Sequence, residues 1–261
     1  MNGTTTTVRR YAGYSELPAR VLEDTLLLIE TDPTVFHGAW SVEGGYAFSS
    51  IDAYGGDPCW LNVVGSLEAA GVLAETALRD LGDLGKKCYG ITVPRGFDIT
   101  KWIADEEPNL WDLMSCETPP PAQSAEDRVV AADDLAAVQA FLDRVNPHHS
   151  VRADHPEVER WLGVADEGSG ELLAVGAFTR RMRGTGYLAS IATAPEARGL
   201  GLGAAVSAAL TRLAFEAGDK VCTLAHYHPN EPARRIYQRL GYRTTHQSQS
   251  HAFAQTSAEA V

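Results

Sequence analysis

Apolar positions in the second half of the chain change period several times, and each change marks an element. Tyr187 to Thr193 is a short apolar run, read as a strand, and it leads through a glycine-rich turn into a helical pattern from Ala204 to Ala217. Val221 to Tyr227 is a second β-like run. Ala233, Ile236, Tyr237 and Leu240 then fall at i, i+3, i+4 and i+7, one face of a helix. Asn230 suits its N-cap, Pro232 its first turn, and Gly241 its C-terminal stop. Upstream, Arg128 to Ala131 reads as a first strand. Asp133 or Asp134 caps a helix with Leu135, Val138, Leu142 and Val145 on one face. Pro156 to Gly163 reads as a short helix. Trp161 to Ala165 and Leu172 to Phe178 read as a hairpin around Glu167-Gly168-Ser169-Gly170. Tyr242 to Phe253 supplies the last strand or two.

The first half repeats part of this pattern. Trp60 to Val64 reads as a strand, and Ser66 caps a helix carrying Leu67, Ala70, Leu73, Ala74, Ala77, Leu78 and Leu81; Cys88 to Val93 reads as a further strand. Pro119-Pro120-Pro121 favours an extended, solvated segment. The expected organisation is therefore an N-terminal domain over 1–117, a linker over 118–126, a second domain over 127–253 and a frayed tail over 254–261. The fold class is mixed α/β.

The turn between the first run and its helix is Arg198-Gly199-Leu200-Gly201-Leu202-Gly203, followed by Ala204. Glycines let the backbone come close to a ligand. The first turn of the helix offers unpaired N–H groups and the positive end of its dipole, and Arg198 adds a planar fork of donors. A phosphate-bearing ligand is the reading. A P-loop needs a Lys-Ser or Lys-Thr after the glycines, and a dinucleotide loop needs G-x-G-x-x-G; neither spacing is met.

Arg198, Gly201 and Gly203, with Asn230, Ala233, Ile236, Tyr237, Leu240, Gly241 and Tyr242 about 30 residues on, resemble the two signature stretches of the GNAT superfamily of acetyl-CoA-dependent N-acyltransferases. The resemblance covers roughly residues 126 to 253. It implies acetyl-CoA as co-substrate, with no metal, and transfer of an acetyl or other short acyl group to a primary amine. It implies that two strands splay so that the main chain of Ile191, Ala192 and Thr193 pairs with the pantetheine arm. The loop Arg198, Gly199, Leu200, Gly201, Leu202, Gly203 and Ala204 would hold the pyrophosphate. Asn230 would touch the cofactor arm or simply cap its helix. Tyr237 would protonate the leaving thiolate. The strand before the loop starts Thr185-Gly186-Tyr187, with no carboxylate to serve as base, which leaves His226, His228, His148, His149 or a water relay. Tandem copies with one silent half occur in this family. In the first half Gly65-Ser66-Leu67-Glu68 replaces the loop, and Glu68 would repel a pyrophosphate, so residues 1–117 read either as a degenerate copy or as an unrelated α/β cap.

Charge narrows the partners. The net charge is −12, which disfavours nucleic acid and favours cationic acceptors. Residues 1–120 hold 8 Lys and Arg against 18 Asp and Glu, and residues 121–261 hold 14 against 16. The half with the glycine loop is thus the less acidic. No stretch approaches 18 apolar residues, so no membrane span is expected. Met1 to Tyr14 lacks the apolar core of a signal peptide. The four cysteines form no C-x-x-C pair, and Cys88 and Cys222 read as small core residues. A cytoplasmic setting, a bacterial source and a monomer or homodimer are the expectations. Protein-lysine or N-terminal acetylation, a hydroxyl acceptor, a decarboxylating variant and a non-catalytic acyl-CoA sensor remain as rivals. The acceptor pocket is expected from segments 35–60 and 145–160, which carry no motif.

Overall fold

A computed structural model describes residues 7–31, 33, 36–51, 59–103, 107–182 and 185–253. Part of the expected acceptor segment (52–58) and the expected tail (254–261) lie outside the described residues. In chain order the elements are β1 (Arg9–Tyr11), α1 (Ala19–Leu22), α2 (Thr25–Glu30), β2 (Ala39–Val42), β3 (Gly45–Ile51), β4 (Cys59–Gly65), α3 (Leu67–Asp83), β5 (Cys88–Pro94) and β6 (Asn109–Cys116). There follow β7 (Val130–Ala131), α4 (Leu135–Val145), β8 (Val158–Ala165), β9 (Leu172–Met182), β10 (Thr185–Thr193), α5 (Leu202–Glu216), β11 (Val221–Tyr227), α6 (Glu231–Arg239) and β12 (Arg243–Ala252). Among the described residues no helix is long and apolar enough to cross a membrane.

The chain forms two compact units. Unit 1 runs up to Asp112 and takes in the chain from His246 onward; unit 2 is Leu113–Thr245. The boundaries fall inside β6 and β12. In unit 1 the strand order is β1-β2-β3-β4-β5-β12. β3 and β4 are antiparallel, β4 and β5 are parallel with α3 as their crossover, and Ser248 to Ala252 closes antiparallel on β5. The buried face of α3 (Ala70, Leu73, Ala74, Ala77 and Leu81) packs with Trp40, Leu61, Ile91 and Val93. The Ser66 hydroxyl accepts from Ala69 N at 3.2 Å, the cap that the sequence predicts.

In unit 2, β7-β8-β9-β10 are consecutive antiparallel neighbours, and β10 and β11 are parallel with α5 crossing over. Val206, Leu210 and Ala214 of α5 and Val138, Phe141 and Leu142 of α4 join one core with Ala177, Phe178, Leu188 and Leu224. Asp134 caps α4, accepting from Ala136 N and Ala137 N. Two expectations are corrected. The stretch from Pro156 to Gly163 is not a helix: β8 begins at Val158. A 3₁₀ turn over Glu126–Arg128 occupies the start of the expected first strand, which begins at Val130. The last segment forms the expected final strand, β12. The proline-bearing stretch before β7 is fastened to α5. Arg212 reaches Glu126 with Nε (2.6 Å) and Nη2 (3.0 Å) and the Pro120 carbonyl with Nη1 (2.7 Å).

Candidate active-site cleft

A cleft of about 780 Å³ opens in unit 2 where the β10–β11 ladder ends. The register pairs Thr185 to Leu188 of β10 with Val221 to Leu224 of β11 and goes no further. The cause is at Ser190. Its φ is +49°, and the pairing of β10 with β9 shifts register between Ala189 and Ala192. A non-glycine residue in this region is strained. The Ser190 hydroxyl donates to the Val151 carbonyl (3.1 Å) and accepts from Val151 N (3.0 Å), which holds the bulge in place. Past the bulge, Ile191, Ala192 and Thr193 line the cleft.

The glycine turn forms the cleft's second side. Gly199 and Gly201 have φ of +81° and +78°, and a Cβ on either would meet nothing within 4 Å. They are glycines for backbone conformation, with open space in front of them. Gly203 has a different reason. A Cβ there would lie 2.9 Å from Thr193 Oγ1, so the start of α5 is pressed against the end of β10. Gly201 is the N-cap of α5 and makes no side-chain cap. The other helices of nine or more residues, α3, α4 and α6, are capped by Ser66, Asp134 and Asn230. A capping side chain is worth about 1 kcal/mol, and α5 does without one at the terminus that faces the cleft. The lining includes Arg198 and Arg239 and, among the described residues, no carboxylate. An uncapped helix N-terminus with two guanidinium groups can hold a polyanion.

α6 supplies the third side. Asn230 caps it, accepting from Ala233 N at 3.2 Å, and also lines the cleft. Gly241 (φ +97°) ends it, and Tyr242 N returns to the Tyr237 carbonyl at 3.0 Å. Tyr237 lines the cleft with 7% of its surface exposed. Burial, with the Tyr187 phenol as a smaller cause, pushes its phenol well above the usual range. At neutral pH it carries its proton.

Of the residues expected from sequence, Ile191, Ala192, Thr193, Arg198, Gly199, Gly201, Leu202, Gly203, Ala204, Asn230 and Tyr237 meet in this one cleft. Two do not line it. Leu200 is 60% exposed and is not part of the lining. His226 is buried beside Tyr237, with ring centroids 6.1 Å apart and its Nδ1 2.9 Å from the Tyr227 carbonyl. His148 and His228 are exposed, and His149 bonds Gln139 and the Asn146 carbonyl. Val145 and Asn146, at the end of α4, also line the cleft and open the segment 145–160 expected for the acceptor pocket, whereas sequence reasoning missed Ser207 and Arg239. Arg239 had no readable signal, since two residues beyond Tyr237 the helix presents a different face.

The family model of the GNAT acetyltransferase family matches residues 110–242, just over half of the chain. A GNAT-family acetyltransferase from Colwellia psychrerythraea is 14% identical with a TM-score of 0.53, over 95% of this chain and 99% of its own. A GCN5-related N-acetyltransferase from Sphaerobacter thermophilus is 16% identical with a TM-score of 0.53, over 90% and 84%. One from Kribbella flavida is 18% identical with a TM-score of 0.50, over 81% and 88%. At these identities the likeness is one of fold. No curated protein matches the sequence.

Proposed function

The chain belongs to the GNAT acetyltransferase family, and from that premise we propose that it transfers an acetyl or other short acyl group from acyl-CoA to a primary amine of a small molecule. The observation that carries the site is the α5 N-terminus. It is left uncapped at a left-handed glycine and opens on a cleft that has two arginines and no carboxylate among its described lining, in a chain of net charge −12.

Acyl-CoA supplies an activated thioester and a pyrophosphate. In this reading the N–H groups of the loop from Arg198 to Ala204 hold the pyrophosphate, with Arg198 and Arg239 adding charge. The main chain of Ile191 to Thr193, released from β11, takes the pantetheine arm. An N–H donor pre-set there for the thioester oxygen is worth about 3 kcal/mol to the tetrahedral state. Tyr237 gives its proton to the departing thiolate. A thiol of pKa about 8.5 needs only a weak acid held close by. His226 packs behind Tyr237 and sets its ring. The amine gives up its proton to water, so the rate rises with pH toward the amine's own pKa of about 10. Unit 1 is a second, silent copy of the fold. Its β3–β4 pair and β4–α3–β5 crossover repeat the order of β9–β10 and β10–α5–β11, but Ser66 caps α3 where Gly201 leaves α5 open.

A panel of primary amines incubated with acetyl-CoA, with the freed thiol followed by a chromogenic disulfide, tests the assignment. Amine-dependent thiol release, with the acetylated amine as product, is expected. Release only with protein or hydroxyl acceptors, or none with any acceptor, contradicts it.

A further inference from the structure

Unit 1 holds two of the four cysteines on adjacent parallel strands. Cys59 opens β4 and Cys88 opens β5, and the two are register partners. Neighbouring strands run about 4.8 Å apart, inside the Cα window of about 4.4–6.8 Å that a disulfide requires. The two sulfurs are 3.0 Å apart, nearer than the ordinary heavy-atom contact of about 3.5–4.0 Å. The local backbone makes this approach. The pairing jumps from Cys59–Cys88 to Trp60–Gly90, leaving Tyr89 as an extra residue, and Cys59 N is tied to the Lys87 carbonyl at 3.0 Å. Cys59 is fully buried and Cys88 is half-buried, so a dissolved oxidant meets Cys88 first. Core packing would be met by any small apolar residue at either place; it gives no reason for a second thiol in register with the first.

We propose that Cys59 and Cys88 are a reversible dithiol–disulfide pair that staples β4 to β5 when the protein meets a hydroperoxide. The Cys88 sulfur attacks the peroxide oxygen and breaks the O–O bond. It becomes a sulfenic acid, and the leaving oxygen departs as an alcohol, or as water from hydrogen peroxide, with the thiol's proton. The Cys59 sulfur then attacks the sulfenic sulfur, the S–S bond forms and water leaves. Two thiols give up two electrons, and the peroxide takes them. The hydrogen bond between the thiols, together with burial, raises the pKa of Cys88. Closure is therefore slow near neutrality and quickens as the thiolate fraction grows with pH. Reduction by a dithiol reverses it.

The test uses the full chain, reduced and native. It is exposed to hydrogen peroxide at pH 7 and pH 9, quenched with catalase, alkylated in denaturant, digested and analysed by mass spectrometry. The expected product is a peptide pair joined through Cys59 and Cys88 and about 2 Da lighter than the two thiol peptides together. It forms faster at pH 9 and is lost with dithiothreitol, while Cys116 and Cys222 are fully alkylated. Four alkylated cysteines after oxidation, a cross-link between any other pair, or Cys88 driven to sulfinic acid with Cys59 alkylated would overturn the proposal.

Discussion

At the level of single residues, the cleft depends on Tyr237 and Ser190. Tyr237 stands on the cleft with its hydroxyl proton held by burial. Tyr237→Phe keeps the ring and removes only the donor, so kcat should fall by roughly 10²- to 10⁴-fold, while the rise in melting temperature with acetyl-CoA is retained. Pre-steady-state rates of thiol release check this, and an unchanged chemical step places the acid elsewhere. Ser190 acts on the backbone. Ser190→Ala removes both bonds to Val151 and leaves the positive φ uncompensated. It should cost roughly 1–3 kcal/mol in urea unfolding; a loss below half of that would make the clamp dispensable. The two residues differ in how far the sequence discloses them. Tyr237 sits in a pattern of cap, helical face and stop that fixes its place. Ser190 lies inside an apolar run, and its part depends on a backbone angle and on a partner 39 residues away, neither of which a linear pattern carries.

The elements show where period alone misleads. Val158, Trp161 and Leu162 have the spacing of a helix face, yet β8 is a strand. Its pairing with β9 jumps from Val158–Thr179 to Arg160–Phe178, so Glu159 is an extra residue and the two-residue alternation slips. The slip imitates a three-residue repeat. The helices were more legible, because Ser66, Asp134 and Asn230 each announce a terminus, and the glycines before α5 announce one left open. The fastening of the proline-bearing stretch to α5 makes a prediction of its own. Arg212 holds the Glu126 carboxyl below its usual range. A depressed carboxylate stabilises the fold above its unfolded pKa of about 4.3, and that contribution disappears as pH falls through the lower, folded value. Glu126→Gln should therefore melt below the wild type at pH 7, and the gap should narrow and then close as the pH falls below the unfolded value and through the lower, folded one. Thermal melts across that range decide it; a gap that persists at low pH would mean that the charge on Glu126 contributes nothing.

Over the whole chain, linear order and spatial unit part company at the C-terminal end. The residues from His246 onward read as the close of the second half, but Ser248 to Ala252 pair with β5 in unit 1. A chain ending at Thr245 leaves one edge of β5 without its partner, so the amides of Ile91 and Val93, which face β12, should exchange faster by hydrogen–deuterium exchange; unchanged protection there would contradict the assignment. The charge imbalance was legible from composition. The strand splay that makes the cleft was legible only through the resemblance, since the bulge behind it has no signature of its own. The central claim, an acyl-CoA site built on the α5 N-terminus, is tested most directly by calorimetric titration of acetyl-CoA into the wild-type chain and into Gly201→Val. A valine at φ +78° is strained, and its side chain projects into the space in front of the loop. One acetyl-CoA should bind per wild-type chain and none per variant chain, with the circular dichroism of the two alike; equal binding by both, or no binding by the wild type, would contradict this site.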